Sequence, residues 1–168
     1  MAVAEIVTIG TELLLGEIQD TNSRYIARFL RDIGVDLYRL STVGDNVQRI
    51  TATLQEALMR ADIVITTGGL GPTVDDPTRQ AVAKTFNVPL EFHEELWEQI
   101  LERYKQYGQK PTENNKRQAY IPANSIPILN PVGTAPAFAF ELGPKVVISL
   151  PGVPREMEYL IEHFVRDY

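Results

Sequence analysis

The sequence contains no cysteine. That absence removes disulfides, thiolate metal sites and a cysteine nucleophile together, and it suits a reducing compartment such as the cytoplasm. Excess positive charge is missing too: 16 Lys and Arg stand against 22 Asp and Glu, a formal net charge of −6. A nucleic-acid partner needs a concentrated basic face, so this balance argues against one. No run reaches the roughly 18 apolar residues of a membrane span. The start, "MAVAEIVTIG", has no Lys or Arg before its apolar stretch and carries Glu5 inside it, unlike a signal peptide. A cytoplasmic chain without a membrane partner is expected. Neither of the two histidines, His93 and His163, belongs to H-E-x-x-H. The patterns G-x-x-x-x-G-K-[ST], G-x-G-x-x-G and G-x-S-x-G are also absent, which sets aside a Walker A loop, a dinucleotide fingerprint and a serine nucleophile elbow.

What remains is an ordinary globular composition, 44% hydrophobic and 23% charged over 168 residues. That length fits one domain, residues 1–168, burying roughly 70% of its unfolded surface. "AEIVTIG" reads as a strand, and Ile26, Phe29, Leu30 and Ile33 then recur at helical spacing up to Gly34. "VDLYRLSTV" is a second strand, Val47, Ile50, Leu54, Ala57 and Leu58 a second helix capped by Asp45 or Asn46, and "DIVITT" a third strand. Right-handed crossovers turn this order into a parallel sheet covered on both faces. Pro77 is expected at the first position of a helix carrying Val82 and Phe86, and Leu96, Trp97, Ile100, Leu101 and Tyr104 mark a longer one. Five prolines between Gln106 and Pro136 loosen the next stretch, where Thr112 would cap a helix through Tyr120; a functional loop is expected there. "AFAFEL" and "KVVISL" around "GP" predict an antiparallel edge hairpin, before a last helix through Met157, Leu160, Ile161 and Phe164. That helix reaches Tyr168 without a stop signal, as a piece of a longer chain would.

Ligands of open α/β sheets bind beyond the carboxyl ends of the strands. Four polar loops fall there: "GTELLLGEIQDTN", "VGDN", "GGLGPTVDD" and "LPGVP". In the third, Gly68, Gly69 and Gly71 let backbone amides approach an anion, and Leu70 and Thr73 lie within the same cradle. A tight strand-to-helix turn would use the same glycines. Asp76 before Pro77 fits an N-cap, which leaves Asp75 uncommitted. A free carboxylate beside a phosphate-sized turn repels phosphate unless a cation intervenes, so a divalent ion is inferred on Asp75 and Asp76, with Glu12 and Asp45 as further oxygen ligands. Capping would account equally for Asp20 and Asp45, and solvent exposure for Glu12. Thr11 and Asn22 are candidates for a ribose or base edge, and Gly152 for the fourth loop's share of the phosphate site. Lys116 and Arg117 form the best basic pair, although two such residues also suit a solvated helix face. Phe138, Phe140 and Tyr159 read as core.

Together "GTELLLGEIQDTN", "VGDN", "TTGGLGPTVDD", "NNKRQA", "NPVGTAPAF" and "LPGVPREM", in this order and spacing, resemble the N-terminal domain of CinA-like proteins, a branch of the molybdopterin-binding MoaB/MogA fold. The likeness spans nearly the whole chain. It implies a three-layer α/β/α sandwich with a mostly parallel sheet, and a phosphorylated or pterin-containing ligand at "GGLGPTVDD". It further implies hydrolysis of the ADP-ribose pyrophosphate to AMP and ribose 5-phosphate, dependent on a divalent cation (magnesium, manganese or cobalt) and on potassium. Asp75, Asp76, Lys116 and Arg117 would then be the catalytic set. The nicotinamide mononucleotide deamidase of such proteins belongs to a C-terminal domain outside this sequence. Molybdopterin binding, nucleotidyl transfer and nucleotide sensing are the alternatives on the same rim. Relatives of the fold form dimers or trimers, so a homo-oligomer is expected by analogy. One departure stands out: Ala137 occupies the position of the second glycine in the usual GTAPGF, where a methyl group would narrow the approach to a ligand.

Overall fold

Strand β1, Val3–Ile9, is the axis of the computed structural model, which describes residues 2–168. It pairs in parallel with β2 (Asp36–Val43) on one side and β3 (Ile63–Thr67) on the other. Strand β8 (Lys145–Leu150) continues the parallel set beside β3. β7 (Ala137–Leu142) turns antiparallel to β8, and β6 (Ile126–Ile128) antiparallel to β7. The order is β2-β1-β3-β8-β7-β6. The expected hairpin is therefore present, but its β8 half lies inside the sheet and β6 forms the edge. Three residues with Pro127 in the middle carry no strand periodicity, and proline within a sheet is tolerated at such an edge.

Alternation along β1 feeds two cores. Val7 and Ile9 face α3 (Val47–Arg60), α4 (Thr78–Phe86) and α5 (Glu94–Gln106), where Ile50, Leu54, Val82, Leu96, Ile100 and Phe138 are buried. Ala4 and Ile6 face α2 (Thr21–Asp32) and α7 (Pro154–Leu160), among Ile26, Leu30, Met157 and Leu160. The result is the three-layer sandwich. Glu5 shares the parity of Val7 and lies buried under α3, where Arg60 clasps it through Nε at 2.8 Å and Nη2 at 3.1 Å. A carboxylate in the central strand is tolerable because its partner sits on the last turn of that helix.

Several boundaries differ from the sequence expectation. Ile33 is not part of the apolar stripe: it is the C-cap of α2 and 40% exposed, because Gly34 already turns the chain with φ 77°. Asn46, not Asp45, caps α3 by accepting from the Arg49 amide. Helix α4 starts at Thr78, with Pro77 one position before it. The helix after Thr112 is only one turn, α6 (Glu113–Lys116), continued by a 3-10 turn at Arg117–Ala119. Tyr120 instead opens β5 (Tyr120–Pro122), paired antiparallel with β4 (Leu90–Phe92). Tyr159 is only partly buried and stacks on His163 at 4.0 Å, whereas Phe138 and Phe140 are core.

Candidate functional site

The strand order reverses at β1 and β3, since the chain first adds β2 on one side and then β3 on the other. Such a switch point leaves a crevice at the strands' carboxyl ends. A cavity of about 530 Å³ opens there, bounded by Thr8 and Ile9 at the end of β1, Thr67 at the end of β3 with Gly68 to Thr73 after it, Pro151 to Pro154 after β8, and the start of α2. A short helix, α1 (Thr11–Leu14), supplies Glu12 and Leu13 to its wall.

The glycine loop is held from behind. The Gly68 carbonyl accepts from the Thr78 hydroxyl at 2.7 Å, and that of Gly69 from the Thr78 amide at 3.1 Å. Leu70 and Gly71 carbonyls accept from Arg79 Nη1 and Nη2 at 2.7 and 2.5 Å. Among the described residues, the amides of Gly69, Leu70 and Gly71 are hydrogen-bonded to no protein acceptor. Four carbonyls tied back and three amides uncommitted are what an anion cradle requires. Leu70 is buried as a whole residue, backbone included, so Gly69 and Gly71 are the more open members of the cradle. Arg79, buried as well, has its pKa pulled down to about 10 by burial, against the opposing charge of Asp76, and stays a cation at neutral pH. The Thr78 amide at the start of α4 is spent on Gly69.

Gly68 also has a structural reason to be glycine. With φ 103°, a Cβ there would stand 2.2 Å from the Ile9 carbonyl oxygen. Gly152 packs against it, its own added Cβ falling 3.2 Å from Gly68 Cα. Tight turn and cradle are thus the same object.

The aspartates divide differently from the expectation. Asp76 does not cap α4; its Oδ2 folds back to accept from the Thr73 amide and hydroxyl at 2.9 and 2.6 Å, closing the loop on itself. Asp75 is exposed and lines the cavity. Asp45 Oδ2 accepts from the Thr11 amide while the Thr11 hydroxyl accepts from the Asp45 amide, so the pair locks two loops together. Thr11 itself lies outside the cavity wall; Asp45 and Glu12 are in it. Asp20, also in the wall, caps α2 by accepting from the Ser23 amide. Six acidic residues therefore line the cavity, Glu12, Asp20, Asp45, Asp75, Asp76 and Glu156, and among the described residues no Lys, Arg or His does. Among the described residues no three acidic or histidine side chains are gathered at metal-ligand spacing.

Lys116 and Arg117 are carried elsewhere. The Lys116 ammonium sits over the Phe92 ring at 5.4 Å. Arg117 lines a second cavity of about 400 Å³ with Arg79, Gln80 and Tyr120, on the other side of Thr73 and Asp76, which border both. The 3-10 turn sends Gln118, their neighbour, into the main cavity instead. Gln118 is 1% exposed, donates to Leu70 O at 3.4 Å, and leaves Oε1 without a partner. Asn22, buried in the cavity wall, donates through Nδ2 to Thr67 Oγ1 and Gly152 O, both at 2.9 Å, and its Oδ1 is buried without a partner. Two such acceptors await donors. The loosely patterned stretch before Pro136 contributes Gln118, Thr134 and Ala135 to the wall. Ala137 has its methyl fully buried among the α2 and α7 side chains and does not border the cavity, so the departure from GTAPGF leaves the approach open.

Glu156, in the first turn of α7, was not singled out by the sequence. Asn130, fully buried, donates to its Oε2 at 2.7 Å. Burial raises the Glu156 pKa, opposed by the Asn130 hydrogen bond and by the charges of Arg103 and Arg155. A raised carboxyl pKa means the folded state keeps its proton where the unfolded chain has lost it, so this group's stability share is present at acid pH and declines as pH rises through the carboxylate range. Glu156→Gln is expected to melt above the parent at pH 7, with the gap closing at pH 4. A gap that widens towards acid in thermal melts would contradict the burial reading.

With this geometry in view, the relatives decide the family. The family described as "Probable molybdopterin binding domain" matches residues 5–168. The chain belongs to that family. A protein of Halothermothrix orenii named for competence and damage induction is 50% identical over 166 residues, 99% of this chain. A Clostridium botulinum protein of the same name is 47% identical over 165 residues, 98% of this chain. The chain spans 40% of the length of these curated relatives. Among solved structures, CinA of Thermoplasma acidophilum, described as of unknown function, superposes with TM-score 0.91 at 39% identity, covering 99% of this chain and 97% of its own. MoaB of Thermus thermophilus, at 22% identity, shares the fold with TM-score 0.61 over 96% of this chain and 88% of its own. This family member is thus CinA-like, with a MoaB/MogA fold. No helix among its described residues is long and apolar enough to cross a membrane.

Proposed function

We propose that this domain hydrolyses the pyrophosphate of ADP-ribose or a related nucleotide diphosphate, with a divalent cation. The observation that carries the reading is the pairing of uncommitted amides, Gly69 to Gly71, with a wall of six acidic residues and, among the described residues, no Lys, Arg or His. The amides favour an anion; the wall repels one unless a cation accompanies it. Magnesium-type ions often use one or two carboxylates and complete their shell with phosphate oxygens and water, so a pre-gathered cluster of three is not required. Asp75, which makes no hydrogen bond or ion pair with the described residues, fits that duty, with Asp76, Glu12 or Asp45 of the same cavity as the further candidates. Such an ion would neutralise the diphosphate oxygens and make a bound water more acidic.

The chain's own residues would do the rest. Gly69 to Gly71 donate to one phosphate and fix its position. Asn22 Oδ1 and Gln118 Oε1, buried without partners in the cavity wall, would accept from ribose hydroxyls or an exocyclic amine if a bound ligand turned either side chain towards it. Arg117 would meet the second phosphate only in a ligand long enough to cross the Thr73 to Asp76 ridge. Molybdopterin binding is the second reading, favoured by the family itself, and a pterin phosphate would present the same anion and amine donors.

Product analysis separates them. ADP-ribose, FAD and a pterin phosphate are incubated with the chain, with and without magnesium or manganese. Metal-dependent release of AMP and ribose 5-phosphate is expected, with Asp75→Ala losing at least tenfold in rate. Binding of the pterin phosphate without turnover of either diphosphate would replace hydrolysis by the second reading.

A further inference from the structure

Glu156 stands apart from the other acids of the cavity. Its carboxylate is clamped rather than solvated: Asn130 Nδ2 holds Oε2 at 2.7 Å and is itself anchored by donating to the Ala135 carbonyl at 2.9 Å. Gly133 makes the room. A Cβ at that glycine would fall within 2.3 Å of all three carboxyl atoms of Glu156, so the chain omits a side chain where this carboxylate lies. Two residues of one loop, Asn130 and Gly133, thus shape a seat for one acid. Oε1, the oxygen without the clamp, accepts from no donor among the described residues, and Glu156 lines the cavity. Gly152, four residues earlier, abuts Gly68, which ties the start of α7 to the amide cradle.

We propose that Glu156 is the proton acceptor of the hydrolysis, taking the proton of the water that attacks the diphosphate. This rests on the hydrolytic reading above. The water oxygen forms a bond to one phosphorus, the bridging P–O bond breaks, and its electron pair leaves on the departing phosphate. One water proton passes to Glu156 and then to solvent; the other stays with the new phosphate. A departing phosphate is a stable anion and needs no proton at neutral pH, so a base is the group the reaction lacks. Burial raises the Glu156 pKa, which brings it nearer to neutrality than an open carboxylate and makes it the stronger base. The charges set against it are Arg103 of α5 and Arg155 of α7, while Glu12, Asp20, Asp45, Asp75 and Asp76 share its cavity. Asn130 is the positioning residue, keeping Oε1 turned to the water.

Glu156→Gln tests this, because glutamine keeps an oxygen for Asn130 and the volume of the seat. With ADP-ribose and manganese, kcat is expected to fall by roughly 10²–10⁴-fold, with the acid limb of the pH-rate profile lost and ADP-ribose affinity within about threefold of the parent by calorimetry. Asn130→Ala, leaving the carboxylate present but unclamped, should keep the acid limb while lowering kcat. Turnover by Glu156→Gln at more than a tenth of the parent rate, or an unchanged acid limb, overturns the assignment and leaves hydrolysis standing. A parent chain that turns over no diphosphate overturns both.

Discussion

Gly68→Ala is expected to lose about 2–6 kcal/mol of stability and at least tenfold in affinity for a nucleotide diphosphate. Two costs add. The left-handed φ of 103° is strained for any residue with a Cβ, by about 1–3 kcal/mol. The new methyl would also stand 2.2 Å from the Ile9 carbonyl oxygen, and that oxygen belongs to the central strand, which cannot retreat without disturbing β1. Overpacking of this kind adds about 1–3 kcal/mol. Gly16 provides the control. It has φ 71° but nothing within 4 Å of an added Cβ, so Gly16→Ala should show strain alone and leave the cradle intact. Thermal melts and calorimetric titration of both variants measure the difference. If the two behave alike, the close approach at the end of β1 is not what shapes the loop.

Phe138→Ala is the second large effect, expected to cost about 3–5 kcal/mol, because a fully buried phenyl ring leaves a cavity that the sheet cannot close. The side chain sits on β7 in the core under α4 and α5, where neighbours on the sheet are fixed by backbone pairing. Phe86 is the comparison. It is only partly buried, stacked on Phe140 at 4.0 Å, so Phe86→Ala should cost less. Urea unfolding checks the order, and a Phe138→Ala midpoint equal to that of Phe86→Ala would mean the core relaxes around the missing ring.

The parallel half of the sheet was legible because β1, β2 and β3 each precede an apolar stripe at helical period. The antiparallel edge was legible only in part. β4, β5 and β6 have three residues each, too few for periodicity, and their pairing is decided by tertiary contacts. In the site, glycines announced the loop but not its fastening. Asp-Pro reads as a helix start, yet Asp76 bonds back to Thr73 one residue too early to cap, and the work of holding the loop passes to Thr78 and Arg79. "NNKRQA" drew the eye to its charges. The cavity takes the neutral Gln118, because a tight turn sends adjacent side chains to different sides and charge alone does not say which. Glu156 lay in a quoted stretch, but its seat is made by Asn130 and Gly133, more than twenty residues away, and no local pattern encodes that.

A crystal structure of the chain with ADP-ribose and manganese, read by anomalous scattering, tests whether diphosphate and metal meet at the glycine loop. One phosphate is expected against the amides of Gly69 to Gly71, with an anomalous peak beside Asp75. A diphosphate bound only in the cavity of Arg117 and Tyr120, or seated in the main cavity without metal, would contradict it.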